Sequence, residues 1–480
     1  MNPEVPRLKL IETRFFERDV RLRMPFRFGV VTLREAPQTF VQVRIRTDDG
    51  KEGLGMAAEL LAPKWFDKSA ALSNEQNFEQ LRQAMAIAAQ AYAGADTSLG
   101  AFGLHAAMAL AHDKACTTAG LPPLVAGFGT ALLDRAVIDA LLRLRGESVF
   151  AATRANRFGI DAATTPDLRG FDIDAFLATL RPAQSIAARH TVGLVDPIEA
   201  ADQPAGSRVD DGLPETLREV VQRYGVDHFK LKVGGDIDAD IERLSRIAGV
   251  IDGLPAYRAT LDGNEQYADA NAVIVLWRRI ESTPALQRLR ASILFIEQPI
   301  ARSSALSHDI RALASLRPVE IDESDASIDA FVQAKALGYS GVSSKSCKGF
   351  YRSLLNRARC AYWNGNGNAQ AGADAYFMSA EDLTTQAGLC VQQDLALATL
   401  IGCTHVERNG HHYVNGMAAA PPQEQQAFLA AHPDLYHDDQ GTVRLSIRGG
   451  KIAIGSLDAP GLGSAVLPQT ATLRECRYAR

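Results

Sequence analysis

The sequence predicts an α/β protein: a (β/α)7-8 barrel with an N-terminal α+β capping domain that the C-terminal segment completes. Three observations predict it. From about residue 190, short β-rich runs alternate with helical runs, and repeated βα units build a parallel sheet that closes when eight are present. Before them, residues 8–147 read as an antiparallel sheet followed by helices. The 480 residues exceed what one minimal core needs.

The elements follow in order. Within 8–62, FVQVRIRTDDGKEGLGMA alternates, turns at Asp49-Gly50 and returns as a second strand. Within 75–147, NEQNFEQLRQAMAIAAQAYA and ALLDRAVIDALLRLRG place apolar residues at helical spacing. A capping domain is thus expected over 1–154. Residues 155–189 are an insertion or connection with a short helix at DIDAFLATL. The barrel is expected over 190–417, with strands at TVGLVD, HFKLKV, RATLDGN, ILFIEQP, VEIDES, GVSSKS, AYFMSAED and CTHVERN. Residues 418–480 contain the hairpin-like run VRLSIRGGKIAIGSL, expected to return to the N-terminal sheet. The Gly/Asn-rich run 363–374 reads as a loop, either at the site or merely solvated.

Composition narrows the function. The chain is 46% apolar and 22% charged with a net charge of −5, which gives no polyanion-binding face, so no nucleic-acid partner is expected. No apolar run is long enough to span a membrane. The N-terminus, MNPEVPRLKLIETRFFERDV, lacks an apolar signal core. The six cysteines are scattered without a CxxC pair, so zinc and redox motifs are not expected and a cytoplasmic home is.

Chemistry concentrates at the strand ends, where barrels carry it. Lys230 and Lys232 alternate onto one face of the second strand. The third, fourth and fifth strands end in Asp262 with Asn264, in Glu297, and in Asp322 with Glu323; the sixth ends in Lys345. Taken singly, each has a plain reading. An acid at a strand end caps the next helix, and a KxK pair is a solvated face. Together, three acids converging on a barrel mouth would repel one another unless a cation lay between them, and an all-oxygen set suits Mg²⁺. Lysines on the strands before and after the acids would flank that ion. A carboxylate substrate on Mg²⁺ has an acidified α-proton, and a lysine base needs its pKa lowered, which a second lysine beside it would do. The apolar segment 24–37, with Phe26 and Phe28, is expected to reach over the barrel mouth and shape the substrate pocket.

These motifs, KLK, LDGN, IEQP, IDES and a lysine on the sixth strand, resemble the enolase superfamily, and within it the muconate-lactonizing-enzyme-like members. PFRFGVVTL, RTDDGKEGLGMA and LLDRAVIDALLRLRG are similar to that family's capping domain. The resemblance implies Asp262, Glu297 and Asp322 as Mg²⁺ ligands. It implies Lys232 and Lys345 as opposed acid/base groups, with Lys230 as tuner and Asn264 and Glu323 behind them. Glu381 matches an acid often found on the seventh strand. The His–Asp dyad of mandelate-racemase-like relatives is not expected, since no histidine lies between His308 and His405. Two features depart from the pattern. Lys348, Gly349 and Phe350 stand where a Gly-Gly pair is usual, and the eighth strand, HVERNGHH, is polar enough either to touch substrate or to be surface loop. The expected function is a racemase, epimerase or cycloisomerase acting on a small carboxylate substrate, as a homo-oligomer. The alternatives are a sugar-acid dehydratase and a non-catalytic binding protein on the same fold.

Overall fold

The computed structural model describes residues 5–28, 31–365 and 375–478, with no side-chain placement at Phe28 and Val31. Most of the Gly/Asn-rich run 363–374, and the Phe28 side chain, lie outside the described residues.

The capping domain is built on long alternating strands. β1 (Leu8–Phe28), β2 (Val31–Thr47) and β3 (Glu52–Leu60) form an antiparallel meander, with β15 (Arg474–Cys476) on the outer side of β1. One face is covered by α1 (Asn74–Ala93) and α3 (Pro123–Arg145), and α2 (Ala101–Thr118) packs against both helices. α3 lies so close to β3 that a Cβ at Gly55 would collide with the backbone of Ala136 and Ala140. The segment expected as a covering loop is instead the tip of the β1–β2 hairpin, where Phe26 pairs with Leu33 beyond a register shift.

The barrel strands are β4 (Ser185–Val192), β5 (His228–Lys232), β6 (Arg258–Asp262), β7 (Ile293–Glu297), β8 (Val319–Ile321), β9 (Gly341–Ser344), β10 (Phe377–Ala380) and β11 (His405–Arg408). All are parallel, in the spatial order β10-β9-β8-β7-β6-β5-β4-β11. This is the expected (β/α) barrel. β10 and β11 adjoin without a ladder among the described residues. Side chains join their ends: Asp382 N donates to Glu407 Oε2 (2.9 Å) and Asn409 N to Asp382 Oδ2 (2.7 Å).

Two boundaries differ from the sequence reading. The first barrel strand is SIAARHTV rather than TVGLVD. Arg189 and His190 make that stretch look like loop, yet both are buried, because Arg189 meets a carboxylate inside the barrel. The run VRLSIRGGKIAIGSL does not join the capping sheet. Its first part is β13 (Thr442–Leu445), paired with β12 (Tyr436–Asp439), and its second is β14 (Lys451–Ala453), antiparallel to β4. The return to the cap is made by β15. The helix expected in the connection is present at Ile173–Thr179. Among the described residues, no helix is long and apolar enough to cross a membrane, and all six cysteines are free.

Candidate active site

The ladder sets the level of the site. Lys232 is in register with Asp262 on β6, Asp262 with Glu297 on β7, and Glu297 with Glu320 on β8. Neighbours in register point the same way, so one rung of the barrel carries a lysine and three acids inward. Lys230 and Lys232 share a face as their spacing requires; they are 1% and 6% exposed.

Lys230 forms the hub. Its Nζ lies 2.9 Å from Asp262 Oδ2, 2.8 Å from Glu297 Oε1, 2.8 Å from Glu381 Oε2 and 3.0 Å from Glu407 Oε2. Burial alone would lower its pKa, but the four carboxylates outweigh it and hold Lys230 well above the ordinary lysine value. Lys232 Nζ donates to Asp262 Oδ2 at 2.5 Å. Across the mouth, Lys345 Nζ donates to Asp322 Oδ2 at 2.5 Å and sits 4.6 Å from the centre of the Trp65 ring. Burial disfavours its charge, and Asp322 more than restores it.

The acids respond in opposite directions. Burial pushes Asp262 and Asp322 up, but their lysines pull both below the usual carboxylate range. Glu297 and Glu320 are raised well above that range, by burial first and then by neighbouring carboxylates. Among the described residues, the carboxylates whose oxygens converge within 4.8 Å are Glu297, Glu320 and Glu381. Asp262 and Asp322 are instead drawn to lysines. Glu297 Oε2 is buried with no hydrogen-bond partner. An unpartnered Glu297 oxygen converging with Glu320 and Glu381 offers an all-oxygen donor set of the kind a hard divalent cation takes.

Backbone geometry supports the acids. Asn264 and Gln298, at the ends of β6 and β7, have φ of 39° and 31°, a left-handed conformation uncommon outside glycine. It lets Asn264 N donate to Asp262 Oδ1 (2.8 Å), while Asn264 Nδ2 reaches Glu323 Oε1 at 3.4 Å. Gln298 Oε1 accepts from the backbone N–H of Asp322 (2.8 Å) and Ser324 (3.0 Å), tying β7 to β8. Lys348, the departure noted in the motif, is buried. Its Nζ is 2.9 Å from Ser343 Oγ, 3.1 Å from Asp325 Oδ2 and 3.5 Å from Asp322 Oδ1. Phe350 packs edge-on to Phe158 at 5.9 Å and lies in the core, not the pocket.

A pocket opens above this layer. Lys230, Lys232, Asn264, Asp322, Lys345 and Glu407 line its floor, and Phe26, Leu33 and Trp65 of the capping domain roof it. Phe26 stacks on Tyr413 with ring centres 4.2 Å apart. The eighth strand contributes Glu407 and Asn409 to the pocket, with Asp382 and Thr384 from beyond β10. The structure thus brings together the lysines, the acids, Asn264 and Phe26 that the sequence placed in the site; Phe350 lies in the core, and Phe28 lies outside the described side chains. Sequence reasoning missed Arg189, Glu320, Gln298 and Trp65. Glu320 stands two residues before Asp322 and so shares its face; that spacing was a signal available in the sequence.

Residues 212–363 match the family described as Enolase C-terminal domain-like. No curated protein matches the chain. Among solved structures, a mandelate racemase/muconate lactonizing protein from Herpetosiphon aurantiacus is similar at 16% identity and a TM-score of 0.59, over 95% of this chain and 98% of that one. An enolase from Bradyrhizobium complexed with magnesium and mandelic acid is similar at 17% identity and a TM-score of 0.57, over 97% of each chain. A member of the enolase superfamily from Roseovarius nubinhibens ISM, complexed with magnesium, is similar at 17% identity and a TM-score of 0.53, over 98% of this chain and 99% of that one.

Proposed function

Residues 212–363 match the enolase C-terminal domain-like family, and from that match we propose a Mg²⁺-dependent enzyme that removes the proton α to a carboxylate. The observation that carries the reading is the pair Lys232 and Lys345. They enter one pocket from opposite strands, with Asp262, Glu297 and Asp322 between them. Asp262, Glu297 and Asp322 would hold the Mg²⁺. When bound, that ion draws negative charge onto the substrate carboxylate and acidifies the adjacent C–H.

The chain's own groups do the rest. An incoming carboxylate with its cation would take Asp262 and Asp322 away from the ammonium groups they now hold. Lys232 and Lys345 would then lie on opposite faces of the α-carbon, one to take the proton and the other to return one. Phe26, Leu33 and Trp65 exclude water from above. Two opposed bases suit racemisation, epimerisation or cycloisomerisation.

The test is α-proton exchange in D₂O over N-acyl amino acids, dipeptides, acid sugars and lactone-forming diacids, with Mg²⁺ and with chelator. Lys345→Ala should abolish exchange from one stereochemical face and Lys232→Ala from the other. Wild-type exchange in the double variant would refute the lysine assignment. Glu297→Gln should weaken metal binding by at least tenfold, since one charged ligand is lost.

A second reading, a sugar-acid dehydratase, is favoured by the polar rim of Asp382, Thr384 and Asn409, which offers partners for substrate hydroxyls. Formation of a keto acid from an acid sugar, with loss of water, would select it.

A further inference from the structure

A second cavity lies outside the barrel wall, between the ends of β10 and β11 and the β12–β13 hairpin. Residues alternate along β11: Glu407 points into the barrel, and Arg408, buried at 1% exposure, faces this cavity from the other side. The lining carries three guanidinium groups, Arg223, Arg408 and Arg444, against one carboxylate, Asp439. Asp439 Oδ2 is already taken by Arg444 (2.6 Å) and Arg223 (3.4 Å).

Four buried nitrogen atoms around the cavity have no hydrogen-bond partner: Arg408 Nε, Arg408 Nη1, His411 Nδ1 and His437 Nδ1. Arg408 Nη2 pairs with Asp394, while Nη1 stays 3.9 Å from Asp382 Oδ1, beyond hydrogen-bond reach. Buried donors are costly to leave unmet, above all on a guanidinium. An oxyanion would accept from one free N–H of Arg408, because both two-pronged edges of the guanidinium include Nη2, which Asp394 holds. Val391 and Val414 leave the remaining wall apolar.

We propose that this cavity is a second ligand site, distinct from the lysine pocket, that binds a small oxyanion, phosphate or carboxylate, at the unpartnered N–H groups of Arg408. The site does not depend on the proposed reaction. Asp382, 3.9 Å from Arg408, also lines the lysine pocket, so occupancy would be felt there.

Equilibrium dialysis of the full chain with radiolabelled inorganic phosphate, in chelator at fixed ionic strength, tests it. One phosphate should bind per chain and saturate in the millimolar range. Binding should persist in Lys345→Ala, which removes one of the lysines lining the lysine pocket. Competition by benzoate would mark a carboxylate as the better occupant, and its absence a phosphate. Arg408→Met should weaken binding about tenfold and His437→Phe about threefold. His437 is only half-buried, so its variant decides the matter if Arg408→Met fails to fold. Non-saturable uptake, unchanged affinity in His437→Phe, or loss of binding in Lys345→Ala would each overturn the proposal.

Discussion

Lys230 shows what one residue does when its surroundings are known. Beside Lys232 in the sequence it reads as a tuner; in the structure its ammonium has four carboxylate neighbours within 3.0 Å. Its first physical task is to neutralise them. Lys230→Met would leave Asp262, Glu297, Glu381 and Glu407 crowded without that charge, which should cost about 3–5 kcal/mol. Chemical denaturation of wild type and variant measures it; an unchanged midpoint would show that the acids take up protons instead. Lys348 is a related case. It holds Asp322 from the side opposite Lys345, so Lys348→Met should free that carboxylate and reduce turnover, while Lys348→Arg should restore part of it.

At the scale of elements, the lid is governed by its anchor. Arg23, at the base of the β1–β2 tip, makes a two-pronged 2.6 Å pair with Asp211 and donates to the carbonyl of His412 (2.9 Å). The tip is thereby fastened to the loop after β4 and to the helix Gly410–Tyr413. Asp211→Asn should loosen the roof and raise KM several-fold with a smaller change in kcat; equal loss in both would mean the pair serves only folding. The same helix supplies an acid-sensitive contact. His412 lies edge-on to His190 of β4, ring centres 5.0 Å apart. Burial holds His190 at about 3 and His412 well below the ordinary 6.5. The unfolded chain takes up protons near 6.5 that the folded chain refuses. Stability is therefore complete above pH 6.5 and declines as pH falls towards 3, by up to about 1.4 kcal/mol per unit per histidine. Thermal midpoints from pH 7.5 to 5 should fall, and less steeply in His412→Gln; identical slopes would refute the assignment.

The whole molecule depends on cap and barrel acting as one body. Arg135 of α3 is fully buried between them. Its guanidinium donates to Glu59 Oε2 of β3 (3.0 Å) and to Gln393 Oε1 of a barrel helix (3.2 Å). Glu59 accepts in turn from Ser346, the neighbour of Lys345 (3.0 Å). Removing one member of such a buried pair exposes the other charge to an apolar interior. Arg135→Met should lower stability by about 3–5 kcal/mol and impair the lysine pocket with it. Calorimetry should show a single transition in wild type; two independent transitions would mean that cap and barrel fold separately.

The sequence by itself determined the architecture and the positions that carry charge into the site. Periodicity is a local property, so the period-two runs of the cap, the βα alternation of the barrel and the acids at the ends of β6, β7 and β8 were legible without coordinates. Lys230, Lys232 and Lys345 were legible for the same reason, each being fixed in direction by its own strand. Only the tertiary structure decided who meets whom. Arg189 and His190 disguised the first barrel strand, because their counterparts Glu381 and His412 lie far along the chain. Gln298 joins two strand ends only once register is set, and Trp65 reaches Lys345 only after the cap has docked. Lys230 became a hub because closing the sheet brings Glu407 of the last strand beside it. Ring closure is non-local, and its partners are chosen by register and burial, which no local run of residues encodes.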